Sequence, residues 1–389
     1  MKLYSNIYID SIIDNIVNND NFEKNFKYHY LFIISYIRMY GFKDRRFTNE
    51  MFIPVNMKTL RKLISYDYAH IFIKNLLDHG LIETDNFFEK HVKSRGYRLS
   101  SKCYMNKYYL VENKDLKLEN KVRKTYANLK LKITEKQDAY GYVTTCMENV
   151  NIDKKTAFKY IQDNENNPDE IENYELVTEN FEDKFAIVDK TSNRLHNNLT
   201  NLYSPLRQFL TYNGENIVQC DIRNSQLVFL YVMLKNYHIP EKELRYFGEV
   251  VCKIGFYEFF AEKLGKKLTE ENRKEFKTFI FRDILFGESK LKLNEIEIIF
   301  KKIFPSIFHV MRSIKMESQK ALPVMLQKAE SEFIFKCVEK IGTKIPLLTI
   351  HDSIGTTSGN ENIIKKAIEQ EFLENYGLTP KIRVEKFAK

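Results

Sequence analysis

IPLLTIHDSIGTT, residues 345–357, is the stretch whose reading decides the fold. Ile345, Leu347, Leu348, Thr349 and Ile350 form a β-prone run, a His351-Asp352 pair follows, and Ser353, Ile354, Gly355 and two threonines lead the chain back. Apolar residues on both sides of a short polar pair, bounded by glycine, predict a hairpin with its tip at His351 and Asp352. A carboxylate at the tip of an apolar hairpin is unfavourable unless something compensates its charge, and a metal ion does so well. Asp352 is therefore read as one of two carboxylates holding catalytic magnesium.

The second carboxylate lies upstream. After the turn residues Asn213 and Gly214, residues 217–221 read as a strand ending in Asp221, with an apolar helix at 227–234 behind it. A strand-end aspartate beside a helix start can be a metal ligand or an N-cap, and taken alone it is more often the cap. Between the two aspartates, ENRKEFKTFIFRDILFGES (271–289) reads as an amphipathic helix closed by Phe286 and Gly287. Arg273, Lys277 and Phe281 recur every four residues on one face. Such a stripe can hold a triphosphate and stack a base, or simply form surface ion pairs. A further helix, 327–340, runs directly into the 345–357 hairpin.

Bulk properties bound the rest. The 389 residues are enough for two or three domains with their own cores. Apolar residues make up 43% and charged residues 29%, which excludes disordered and fibrous classes. The net charge of +9 suits a polyanionic partner. No run of 18 apolar residues suggests a membrane span, and acids interrupt the N-terminus where a signal peptide would be apolar, so a cytoplasmic protein is expected. Cysteines 103, 146, 220, 252 and 337 show no CxxC spacing and imply neither a zinc site nor disulfides.

Residues 1–46 read as helical from apolar spacings of three and four. Then come a short helix (56–64), a turn and a second helix (67–79) ended by Gly80. Two strand-like runs, LIETDNFF and GYRLS, follow, joined by a basic loop with Lys90, His91, Lys93 and Arg95. That order resembles a winged helix-turn-helix, which implies that Tyr68, His70 and Lys74 face the major groove while Lys90, Lys93 and Arg95 reach phosphate. Residues 114–136 carry eight Lys or Arg on a predicted helix, a solvated face or one that rides along a duplex. The acidic, Asn-rich stretch 164–182 reads as a surface loop between domains.

Taken in order, the pieces from 191 to 357 resemble the palm and fingers of family A DNA polymerases and the phage-type single-subunit RNA polymerases. Arg194-Leu195, Asn201-Leu202 and Arg207-Gln208 before Asp221 resemble the superfamily's "T-G-R-L … N-L … R-Q … D" run. VQCDIRNSQ resembles its first catalytic motif. Arg273-xxx-Lys277 with Phe286-Gly287 resembles its fingers helix, with one residue more between Lys277 and Phe286. IHDSIGT resembles its last catalytic motif, with the serine typical of the RNA polymerases after the aspartate.

The resemblance implies an α+β, right-hand-like polymerase with an antiparallel palm sheet and helical fingers, preceded by a winged-helix-like domain. The expected division is 1–110 helical and winged helix-turn-helix, 111–182 a helical thumb-like or linker region, and 183–389 the palm, with fingers inserted at about 236–300. It implies two Mg2+ ions (Mn2+ as the alternative) held by Asp221 and Asp352, with the Ile222 carbonyl as an extra ligand. Arg207, Arg273 and Lys277 are expected on the triphosphate, Lys277 also as proton donor to pyrophosphate, Phe281 and Phe286 near the base, and Gln226 at the sugar. Arg194, Gln327 and His351 are expected at the primer-template. The implied partners are a nucleic acid template, DNA first, and nucleoside triphosphates, with no membrane and no obligate protein partner. DNA synthesis or primase-polymerase activity for a plasmid, phage or other mobile element is the first reading. RNA or primer synthesis and a non-catalytic replication initiator are the alternatives. An HD-type phosphohydrolase fits poorly, because the other seven histidines lack metal-ligand spacing.

Overall fold

The computed structural model describes residues 1–19, 26–41, 50–89, 94–287 and 292–387. Contacts divide the chain into two compact units: 1–132, 150–186 and 197–211 form the first, and 133–149, 187–196 and 212–389 the second. The chain therefore passes repeatedly between units, where the sequence suggested three successive segments.

In chain order the first elements are β1 (Lys2–Asn6), α1 (Ile7–Asn19), α2 (Lys27–Gly41), β2 (Ile53–Pro54), α3 (Met57–Leu63), α4 (Ala69–Asp78), β3 (Ile82–Thr84), β4 (Gly96–Leu99), β5 (Tyr108–Glu112) and α5 (Leu116–Thr134). Next come α6 (Ala139–Met147), β6 (Val150–Ile152), α7 (Lys154–Asn164), α8 (Pro168–Glu179), β7 (Ala186–Val188), β8 (Leu195–Asn197), α9 (Asn198–Asn201) and β9 (Leu210–Tyr212). The remainder is β10 (Glu215–Ile222), α10 (Ser225–Leu234), α11 (Glu241–Glu249), α12 (Phe256–Lys263), α13 (Glu270–Ile280), α14 (Glu295–Ile303), α15 (Pro305–Glu317), α16 (Ala321–Ile341), β11 (Leu348–Ile350), β12 (Ser353–Thr357), α17 (Glu361–Tyr376) and β13 (Ile382–Lys386). The fold is α+β, with antiparallel strand pairing wherever the register is defined.

Two expectations for the first unit need correction. Residues 2–6 are a strand, paired with 108–112, and not part of a helix. Five residues are too few to reveal a period, and the partner strand lies a hundred positions away. Asn6 then starts α1, its side chain accepting from the Ile9 amide at 2.9 Å. The acidic stretch 164–182 is not a loop. Asn167 accepts from the Asp169 amide, Pro168 occupies the first turn, and Asp169 and Glu170 follow, all favourable at a helix N-terminus. Glu172 on α8 is buried because Arg38 of α2, itself 1% exposed, holds it at 2.9 Å. Burial pushes the Glu172 carboxyl up to about 7 although the guanidinium pulls it down.

Elsewhere in this unit β2, β4 and β3 form a three-stranded sheet in that order. Ala69, Phe72, Ile73 and Leu76 of α4 are buried, while Tyr68, His70 and Lys74 are exposed. Arg95 is also exposed. Lys90, His91 and Lys93 lie outside the described residues.

The second unit is built around four antiparallel strands, in the order β11, β12, β10, β13. Residues 218, 220 and 222 point to one face and 219 and 221 to the other, as the pleat demands. Against the strands pack α16 and α17, and α10 packs on α16. α10, SQLVFLYVML, is apolar all round and buried from Leu227 to Leu234, as expected of a helix enclosed on every side. Phe333 of α16 meets Phe372 of α17 at 4.1 Å and Phe229 of α10 at 5.8 Å between ring centroids. A separate aromatic core, Phe247, Phe256, Phe260, Phe300 and Phe304, joins α11, α12 and α14. All five cysteines are buried and unbonded to one another. No described helix is long and apolar enough to cross a membrane.

Candidate active site

The hairpin has its tip where the sequence placed it. Ile350 pairs with Ser353, so His351 and Asp352 form a two-residue loop between β11 and β12. Hairpin loops of this length need positive φ at the first central residue. His351 supplies it at φ +53°, at a cost of about 1 kcal/mol for a non-glycine residue.

β12 lies beside β10 in a register that sets Asp221 opposite Ser353, one residue from Asp352. On its other side Asp221 faces Arg383 of β13, and Gln219 faces Glu385. Two aspartates distant in sequence thus share one end of a sheet. Asp221 belongs to the strand, and the helix behind it is capped at Asn224, which takes the left-handed φ of +57° that turns the chain. The N-cap reading of Asp221 is thereby replaced. Burial, then the charges of Asp352 and Glu385, push the Asp221 carboxyl up to about 7, against smaller opposing effects of Arg383 and Lys277. A half-buried carboxylate facing another carboxylate is the donor set a divalent cation neutralises. Among the described residues no group of three or more His, Cys, Asp or Glu side chains could hold a metal. Two carboxylates would leave the remaining oxygen positions of a magnesium ion to substrate and water.

The pair is supported from below. Ser353 Oγ donates to the Ile350 carbonyl at 2.9 Å and to Gln219 Oε1 at 3.3 Å, and Gln219 Nε2 donates to Glu385 at 2.8 Å. Ile222 continues the strand opposite Ile382. The His351 ring lies 6.2 Å from that of His196.

Arg194 is bound to Glu330 of α16, which also accepts from Gln226 Nε2 at 2.8 Å. The 187–196 segment is pinned to the same helix: Ser331 Oγ and Tyr140 Oη both donate to the Asn193 carbonyl, at 2.7 and 2.8 Å, and Tyr140 stacks on Phe335. Gln327 lies on α16 one turn before Glu330, half-buried. Arg207 belongs to the first unit, in a 3-10 turn, Ser204–Phe209.

On α13 the cationic stripe divides. Lys277 is exposed, its Nζ 5.5 Å above the Phe281 ring, and its charge reaches Asp221. Arg273 is held by Glu258 over the Tyr257 ring. After Ile280 the helix widens into a π-helical turn, Phe281–Phe286, a form that absorbs one extra residue. The Phe286 ring at its end lies 5.4 Å from that of Phe281. Lys315 of α15 donates to the Ile284 carbonyl in that turn. Gly287 ends it, and a Cβ there would sit 2.1 Å from the Arg282 carbonyl oxygen, so only glycine fits.

Glu330, Gln219, Arg383 and Glu385 escaped the sequence reading. Glu330 carried no distinguishing signal, since α16 also holds Glu332 and Glu339, and the pairing of β13 with β10 had none either.

No protein-family model and no curated protein matches the chain. Among solved structures it is similar to the POL domain of Pol1 from M. smegmatis in complex with DNA primer-template and dNTP, with a TM-score of 0.41 and 10% identity, over 68% of this chain. The chain spans 64% of the length of that structure.

Proposed function

We propose that the chain is a template-directed nucleotidyltransferase that extends a nucleic acid from nucleoside triphosphates, with Asp221 and Asp352 holding two Mg2+ ions. The observation that carries this reading is the β10–β12 register, which brings the aspartates to one strand end with a half-buried, mutually repelling charge. Bound there, divalent ions supply Lewis-acid stabilisation of the attacking and leaving oxygens of an in-line displacement. The Ile222 carbonyl is a further ligand. Of the two cations on the α13 stripe, Lys277 serves the leaving phosphates and their protonation, because Glu258 occupies Arg273. Phe281 offers its face to the base, and His351 stands at the primer end.

The first unit is proposed to bind duplex DNA as a winged helix. Its support is the order α2, β2, α3, α4, β3, β4 with sheet order β2, β4, β3, and the exposed Tyr68, His70, Lys74 and Arg95. Replication of a mobile element is the setting such an arrangement suits.

The deciding experiment is incorporation of labelled nucleotide on primed and unprimed templates with Mg2+. Asp352→Ala should abolish incorporation while leaving the circular dichroism spectrum unchanged. Full metal-dependent activity in that variant would remove Asp352 from the centre.

A further inference from the structure

The connection between β3 and β4 holds two adjacent phenylalanines in solvent. Phe87 is 51% exposed and Phe88 62% exposed, and neither joins the apolar core that takes in Leu81, Ile82, Tyr97 and Leu99 on either side of them. The backbone beneath them is fixed. Asp85 Oδ1 accepts from the Phe87 amide at 3.1 Å and from the Gly96 amide at 2.8 Å, tying the two ends of the connection together. Thr84 Oγ1 accepts from the Asn86 amide at 3.2 Å and donates to the Gly96 carbonyl at 2.9 Å, and Asn86 turns the chain at φ +53°. A Cβ on residue 96 would stand 2.6 Å from Asp85 Oδ2 and 2.8 Å from Phe52 Cβ, so the tie needs glycine. Arg95, next to this tie, is exposed, as are Lys58 of α3 and Lys74 of α4.

Apolar rings kept in water on a fixed turn are unfavourable unless something covers them. Two rings fall far short of the roughly 800 Å² per partner that a stable protein interface takes. They suit a flat aromatic face, and the exposed cations favour a polyanion. A nucleobase on its phosphate chain is both. Within a duplex each base face is already covered by its neighbours, so a phenylalanine finds a partner only where bases are unpaired. We infer that Phe87 and Phe88 stack on unpaired bases, so that the first unit binds the junction where a DNA duplex opens into single strands. The inference rests on the reading of this unit as a DNA-binding winged helix, with Lys74 and Arg95 exposed to the DNA, and adds the form of DNA it takes. The fixed turn lowers the cost of binding, because the backbone that carries the rings is ordered beforehand.

The test is fluorescence anisotropy with the full chain in EDTA, on a forked duplex and on the blunt duplex of the same sequence. A second fork carries abasic sites at the two unpaired positions next to the junction, which removes the base faces and keeps the phosphates. Wild type should bind the intact fork about tenfold more tightly than the blunt duplex. Phe87→Ala with Phe88→Ala should lower fork affinity about tenfold and leave blunt-duplex affinity within about twofold. Abasic sites should weaken the wild type by the same factor and the double alanine variant no further, because ring and base are the two halves of one contact. Phe87→Tyr with Phe88→Tyr, which keeps the aromatic faces, should retain most of the affinity. The second unit is proposed to hold nucleic acid as well, so the dependence on the two rings decides. A double alanine variant that binds the fork as wild type does, equal losses on fork and blunt duplex, or equal sensitivity of both proteins to the abasic sites would overturn the inference. Lys74→Ala with Arg95→Ala should weaken fork and blunt duplex alike, and no change on either would instead refute the winged-helix reading beneath it.

Discussion

Asp221→Asn should stabilise the protein while removing its activity. The folded chain raises the Asp221 carboxyl from 3.8 to about 7, through burial first and Asp352 second. At 1.36 kcal/mol per pH unit this corresponds to about 4 kcal/mol between the neutral and charged forms. The side chain is only half-buried and water screens part of the repulsion, which leaves about 1–2 kcal/mol. Because the folded state holds the proton more tightly than the unfolded state, stability falls as pH rises from about 4 to about 7 and stays lower above that. Asparagine cannot ionise and escapes the whole penalty. At pH 8 in EDTA its unfolding midpoint should exceed that of wild type by about 3–6 °C, taking roughly 2–4 °C per kcal/mol for a unit of this size. At pH 5 the gain should be smaller. Mg2+ should raise the midpoint of the wild type and not that of the variant. Differential scanning fluorimetry at both pH values, with and without Mg2+, measures all four. An asparagine variant no more stable than wild type at pH 8 in EDTA would refute the claim of an uncompensated carboxylate pair.

Three further outcomes follow from the same structure. Lys277→Ala should lower nucleotide incorporation about a hundredfold with little change in melting temperature, if its charge serves the leaving phosphates; an undiminished rate would transfer that role to another cation. Glu172→Ala should cost the first unit about 3 kcal/mol, read as a lower urea midpoint, because the buried Arg38 loses the carboxylate that holds it at 2.9 Å. Gly287→Ala should destabilise the second unit by about 2 kcal/mol or more by forcing the Arg282 carbonyl aside, and a neutral result would mean that the π-helical turn is not held as described.

The hairpin was legible in the sequence because its information is local. Alternation, bounding glycine and a two-residue tip sit within thirteen consecutive positions, and the strand before Asp221 and the apolar helix behind it are equally self-contained. The cationic helix could be read from its four-residue spacing, though not the loss of Arg273 to Glu258, which depends on where α12 falls.

The sequence by itself determined the local elements around the candidate site, namely the 345–357 hairpin, the strand before Asp221, the apolar helix behind it and the cationic helix, since periodicity and turn chemistry act over a few residues. Where that range was too short, as in β1, or where Asn and Pro serve helix starts as well as turns, as in α8, it misled. Only the tertiary structure decided that β12 lies beside β10 in the register that joins Asp221 to Asp352. It also decided that β13 covers the other edge, and that a buried glutamate fastens Gln226 and Arg194 together. Strand partners are chosen by burial and pairing across the whole chain, and no short window of sequence contains both partners.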